Sequence, residues 1–112
     1  MITRENFKRL IYAIREHGTL NHRELNGQVY KVYEVSELTL VMSQRQKGWV
    51  PEGITFELFG AEFFLTQDGA ISIIEDSDNE NDTIYSLSDQ TLLSVVSNFL
   101  IWRLKILEKM MM

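Results

Sequence analysis

Residues 18–35 read Gly-Thr-Leu-Asn-His-Arg-Glu-Leu-Asn-Gly-Gln-Val-Tyr-Lys-Val-Tyr-Glu-Val, and their reading decides the fold class. Asn26-Gly27 is the dipeptide best suited to a tight hairpin turn, because both central positions need positive φ. It separates Leu20–Leu25 from Gln28–Val35, the second run rich in the Val and Tyr that favour a pleated surface. Before Gly18 the apolar period is 3.6; after it the period is 2. A helix therefore gives way to a hairpin at this point.

Working upstream, Phe7, Leu10, Ile11 and Ile14 follow the i, i+3, i+4, i+7 spacing of one helix face. Thr3 is suited to accept from an orphan amide of the first turn, and Ile2 with Phe7 is placed as a hydrophobic staple. The helix is expected over 4–17, closed by Gly18 in the left-handed conformation. Downstream, Leu38–Ser43 is another β-type run. The stretch 44–53, with Gly48, Pro51 and Gly53 among charged residues, reads as a long loop. Ile54, Phe56 and Leu58 alternate with Thr55 and Glu57 as in a half-buried strand. Gly60-Ala61 turns the chain into Glu62–Thr66, and Asp68-Gly69 is a second two-residue hairpin signal leading into Ala70–Ile74. A final helix is expected over about 88–109, capped by Ser86 or Ser88, with Asp89 favouring the positive end of its dipole. The expected fold is a single α+β domain over 1–112. It has two layers: a mostly antiparallel sheet of five or six strands, with an N-terminal and a long C-terminal helix packed on it.

Composition narrows the chemistry. The chain has 112 residues, 45% apolar and 24% charged, close to ordinary globular usage. It has no cysteine, which excludes disulfides, cysteine-based metal sites and cysteine catalysis. No run reaches 18 uncharged apolar residues and the N-terminus lacks a signal-peptide core, so a cytoplasmic address without membrane contact is the expectation. The net charge of −5 is unevenly distributed: residues 1–50 carry +3 and residues 51–112 carry −8. Five acids, Glu75, Asp76, Asp78, Glu80 and Asp82, fall within eight positions. From Asp78 onward these resemble a calcium loop in spacing. Thr83 occupies the position that demands glycine and Asp89 the place of the bidentate glutamate, so no metal site is expected.

The last helix is unusually apolar. At 100° per residue, eleven apolar side chains from Leu92 to Met110 fill an arc of roughly 200°, twice what one sheet face needs. Arg103 sits near the centre of that arc and requires a carboxylate or an escape to water. Ile101 falls on the polar side. These features predict an interaction surface of Phe99, Ile101, Trp102, Arg103 and Ile106. Through it the chain is expected to form a homodimer, with Arg103 paired across the interface.

Other constellations are thin. His17 and His22 lack a third ligand and a helical register. Glu57 and Glu62 flank the Gly60 turn as solvent-facing strand residues rather than a catalytic pair. Arg4, Lys8, Arg9 and Arg15 stud the first helix, and Arg45, Lys47 and Trp49 share the 44–53 stretch. With a pI near 5.0, nucleic acid is not the expected partner. The sequence thus predicts a small protein-interaction module (a regulator, inhibitor or accessory subunit) with no catalytic residues, cofactor or metal. The alternative is a small-ligand domain or minor enzyme with a pocket between sheet and helices, lined by Tyr30, Tyr33, Trp49 and Arg103.

Overall fold

In a computed structural model, which describes residues 2–58, 60–66, 68–76 and 89–110, the chain forms an α+β sandwich of one sheet and two helices. Helix α1 spans Arg4–His17. The Thr3 side chain accepts from the Asn6 amide at 3.1 Å, and Ile2 and Phe7 are both buried, as a capped and stapled start requires. The helix ends differently from expectation. Gly18 is extended (φ −80°, ψ 155°) and its N–H donates to the Ile14 carbonyl at 2.7 Å. Glycine is needed there for space rather than for a left-handed turn: a β-carbon would lie 2.5 Å from that oxygen and 3.2 Å from the Glu34 amide.

Six strands follow in a meander, each antiparallel to the next: β1 Thr19–Leu25, β2 Gln28–Val35, β3 Leu38–Arg45, β4 Gly48–Leu58, β5 Ala61–Thr66 and β6 Ile71–Asp76. Asn26 and Gly27 both have positive φ and join β1 to β2 in the two-residue turn their chemistry demands. Asp68-Gly69 does not form a two-residue turn. Thr66 and Ala70 close the connection, leaving three residues with Gly69 at φ +88°. A left-handed third residue is the usual ending of a three-residue hairpin loop.

The expected loop over 44–53 is instead a hairpin with Gln46-Lys47 as its turn, and β4 runs on through Pro51. Two conditions make proline tolerable there. Met42 pairs with Pro51 and Val41 with Gly53, so Glu52 is an inserted bulge residue. Strand β5 pairs with β4 only from Gly53 onward, so this half of β4 has a strand on one side alone.

Register assigns the faces. Tyr33, Leu40, Ile54, Leu65 and Ile71 form one cross-strand row, and Val35, Leu38, Phe56 and Phe63 the next. These rows meet α1 and the second helix, α2 (Asp89–Met110), in a single core that also holds Leu10, Ala13, Ile14, Val96, Leu100, Leu104 and Leu107. The opposite face carries Thr39, Thr55 and the Glu57–Glu62 cross-strand pair. Phe64 also lies there, folded so closely over Gly53 that a β-carbon would fall 2.5 Å from its ring.

Candidate interaction surface

Helix α2 presents two apolar lines, and only one is fully spent on the core. Val96, Leu100, Leu104 and Leu107 are at most 4% exposed. Ser97 is buried beside them, its hydroxyl without a partner among the described residues. The second line, Val95, Phe99, Trp102 and Ile106, runs at spacings of four, three and four. That spacing is the 3.5-residue repeat of a helix–helix seam. Trp102 is 53% exposed, and Met110 beyond it is 59% exposed. The core-facing meridian passes near Leu100 and Leu104, rotated about 60° from the middle of the arc read from the sequence. The rotation follows from α1, which supplies a second wall on the side of Glu108.

That rotation corrects two expectations. Ile101 is not stranded in water; it packs against the core, because α1 covers the side that a bare helix wheel assigns to solvent. Arg103 does not wait for a second subunit: it pairs within the chain, with Glu37 in the β2–β3 turn. Its guanidinium lies over the Trp102 ring, 4.7 Å from the centroid, and 5.9 Å from that of Phe99. Arg103 thereby clamps the end of the sheet to α2 and backs the exposed indole. Beneath it, Phe99 touches Phe56 at 5.8 Å, and Phe56 stacks on Phe63 at 5.5 Å. An unbroken aromatic chain therefore leads from the sheet core through Phe99 to Trp102, 6.4 Å further on. Glu37 is invisible as a site residue in the sequence. The only signal for it is the need of Arg103, in an apolar arc, for a carboxylate.

On the sheet face away from the helices, Thr39, Thr55, Glu57 and Glu62 line a cleft of about 360 Å³ that reaches Glu37 at the β2–β3 turn. Glu57 and Glu62 stand directly opposite each other on β4 and β5, a like-charge pairing that is unfavourable without a cation nearby. On the solvent side of α2, Lys105 and Lys109 are exposed. Among the described residues these four charges have no ion-pair partner. Arg9, by contrast, is engaged by Glu108: its Nε donates to Oε2 at 2.9 Å and Nη2 to Oε1. This bidentate pair ties α1 to α2 and holds the Glu108 carboxyl below its usual range.

The four residues expected to line a ligand pocket are not gathered round one cavity. Tyr33 and Trp49 lie on the helix side of the sheet, under the cations of Arg15 (5.8 Å) and Lys31 (4.5 Å). The Glu52 bulge places Trp49 there, which also removes it as a stacking partner for Arg45 and Lys47. Tyr30 is on the opposite face, its hydroxyl donating to Gln28 at 3.2 Å, beside a shallow hollow lined by Arg23, Leu25, Val32 and Val41. Arg103 is held at the β2–β3 turn.

Elsewhere, Glu52 accepts from the buried Ser43 hydroxyl and from Arg45 at 2.6 Å, and these bonds lower its pKa in that order of importance. His22 is exposed on β1, and the His17 Nε2 is buried without a partner among the described residues. Among the described residues no three acidic or histidine side chains converge as metal ligands, and no helix is long and apolar enough to cross a membrane. Most of the acidic run and the loop compared with a calcium site, residues 77–88, lie outside the described residues. No family model, curated protein or solved structure matches the chain.

Proposed function

We propose that this chain is a protein-interaction module, a regulator, inhibitor or accessory subunit, that works through the outer seam of α2 and self-associates there as a homodimer. The observation that carries the reading is Trp102: a large aromatic, 53% exposed, in a regularly spaced apolar line continuous with the core. Tryptophan at the centre of an apolar patch is the commonest energetic anchor of a protein interface. The seam needs a helix of matching spacing, and a second copy of α2 supplies one.

The ligand-binding alternative lacks comparable support, since its four residues are divided between two faces and one end of the sheet. Sedimentation velocity between about 1 and 100 μM, the range in which modest symmetric interfaces assemble, tests the proposal. A shift with concentration toward twice the 13.1 kDa chain mass is expected. A single 13.1 kDa species throughout that range would remove self-association from the reading.

A further inference from the structure

We infer that the partner best fitted to the outer seam of α2 is an amphipathic helix of another chain, its apolar stripe bordered by carboxylates. This rests on the proposed role of that seam. It names the chemistry of the partner and makes a second copy of this chain the weaker of two occupants.

The argument comes from the charges that border the seam. At 100° per residue, Val95, Phe99, Trp102 and Ile106 stay within about 60° of one another around α2. Lys109 and Lys105 come next on the Trp102 side, exposed and, among the described residues, without an ion-pair partner. Arg103 comes next on the Phe99 side, its guanidinium 5.9 Å from that ring centroid and 4.7 Å from that of Trp102. The one acid in the stretch 90–110 is Glu108. It turns toward α1, where Arg9 engages it. Glu37 reaches Arg103 from the β2–β3 turn and is engaged by it. Among the described residues, every charge that α2 presents beside the seam is therefore a cation, on a chain of net charge −5.

A second copy satisfies the apolar stripe and leaves those cations unmet. In an antiparallel pair of α2 helices each flank faces its own equivalent, so lysines approach lysines. In a parallel pair the lysines of one copy face the Arg103 side of the other, whose carboxylate is already engaged. A helix with glutamates on both borders of its stripe meets Lys105 and Lys109 with opposite charge in either direction. Exposed pairs contribute little singly, so the apolar stripe supplies most of the affinity and the charges select the partner. Trp102 anchors the stripe, and the 3.5-residue spacing around it specifies a helix.

Two fluorescently labelled peptides of about 20 residues, long enough to hold a helix, provide the probes. Both carry leucine in a 3.5-residue repeat; one has glutamate at the bordering positions and the other lysine. Fluorescence anisotropy with the full chain should show the glutamate peptide binding about tenfold more tightly, the sum expected of a few exposed pairs. Sedimentation should show the dimer giving way to a one-to-one complex as that peptide is added. Lys105→Glu combined with Lys109→Glu, with the fold confirmed by circular dichroism, should reverse the preference toward the lysine peptide. Trp102→Ala should weaken both peptides.

Equal affinity for the two peptides, or tighter binding of the lysine peptide by the wild type, would overturn the inference. Binding of the glutamate peptide that Trp102→Ala leaves unchanged would place the contact away from the seam, with the same consequence. If neither peptide binds and the chain remains a dimer, the inference falls and self-association through α2 stands. If neither binds and the chain is a monomer by light scattering, both fall. Binding to vesicles of anionic phospholipid in place of the glutamate peptide would assign the seam to a membrane surface and contradict the inference.

Discussion

Replacing Arg103 with methionine keeps most of its apolar stem and removes the guanidinium that joins α2 to the β2–β3 turn. The side chains of Arg103 and Glu37 are 21% and 30% exposed, so the pair sits between two regimes. Fully exposed ion pairs contribute about 0.2–1 kcal/mol. Stripping one partner from a fully buried pair costs about 3–5 kcal/mol, because the other charge is left without compensation. For this intermediate case Arg103→Met should cost about 2 kcal/mol, part of it the lost cation–π contact with Trp102. Glu37→Gln should cost slightly less, since the amide still accepts a hydrogen bond. The double variant should be less destabilised than the sum of the singles by about 1 kcal/mol, the coupling expected of groups in direct contact. Urea unfolding of the four proteins, followed by far-ultraviolet circular dichroism, closes the cycle. Strictly additive losses would mean that the pair contributes nothing as a pair, and that Arg103 acts only through its packing on Phe99 and Trp102.

Leu100→Ala should cost about 2–5 kcal/mol in chemical denaturation, because the buried side chain leaves a cavity. Trp102→Ala, measured at low protein concentration, should cost well under half as much, since Trp102 is 53% exposed. Gly53→Ala should lower the melting temperature by several degrees, since its methyl group would lie 2.5 Å from both the Leu65 carbonyl and the Phe64 ring. Adding Phe64→Leu should recover only part of that loss, as the carbonyl remains. The carboxyls of Glu52, Asp68 and Glu108 are all held below their ordinary values, by Ser43, Thr66 and Arg9 respectively. Lowered folded-state values mean stability that is present above the unfolded titration near pH 4 and lost as pH falls through the folded values. Urea midpoints should therefore drop below about pH 4, and the drop should be shallower in Glu52→Gln.

Legibility followed locality. Helix α1 could be placed because Thr3, the Ile2–Phe7 staple and the apolar spacing are all short-range signals. The β1–β2 hairpin was legible because Asn26-Gly27 fixes its own turn. The β3–β4 hairpin was not: Gly48 and Pro51 signal a break in any local reading. Strand β4 tolerates Pro51 only through the Glu52 bulge and the end of β5 at Thr66, which are tertiary facts. The same hidden bulge moved Trp49 to the helix side beside Tyr33, while Tyr30 faces the other way and Arg103 is held at the β2–β3 turn. At the surface of α2, the excess of apolar side chains was visible in the sequence. Its division into a core line and an outer seam was not, because the position of α1 sets the rotation of the helix. The need of Arg103 for a carboxylate is legible in the sequence, and only the fold supplies Glu37.

Light scattering coupled to size exclusion, run on the wild type and on Trp102→Ala at tens of micromolar, tests the account most directly. The wild type should elute at twice the 13.1 kDa chain mass, and Trp102→Ala at 13.1 kDa with its circular dichroism spectrum intact. A wild type at 13.1 kDa, or a Trp102→Ala variant that remains dimeric, would contradict the claim that the outer seam of α2 is the surface through which this protein acts.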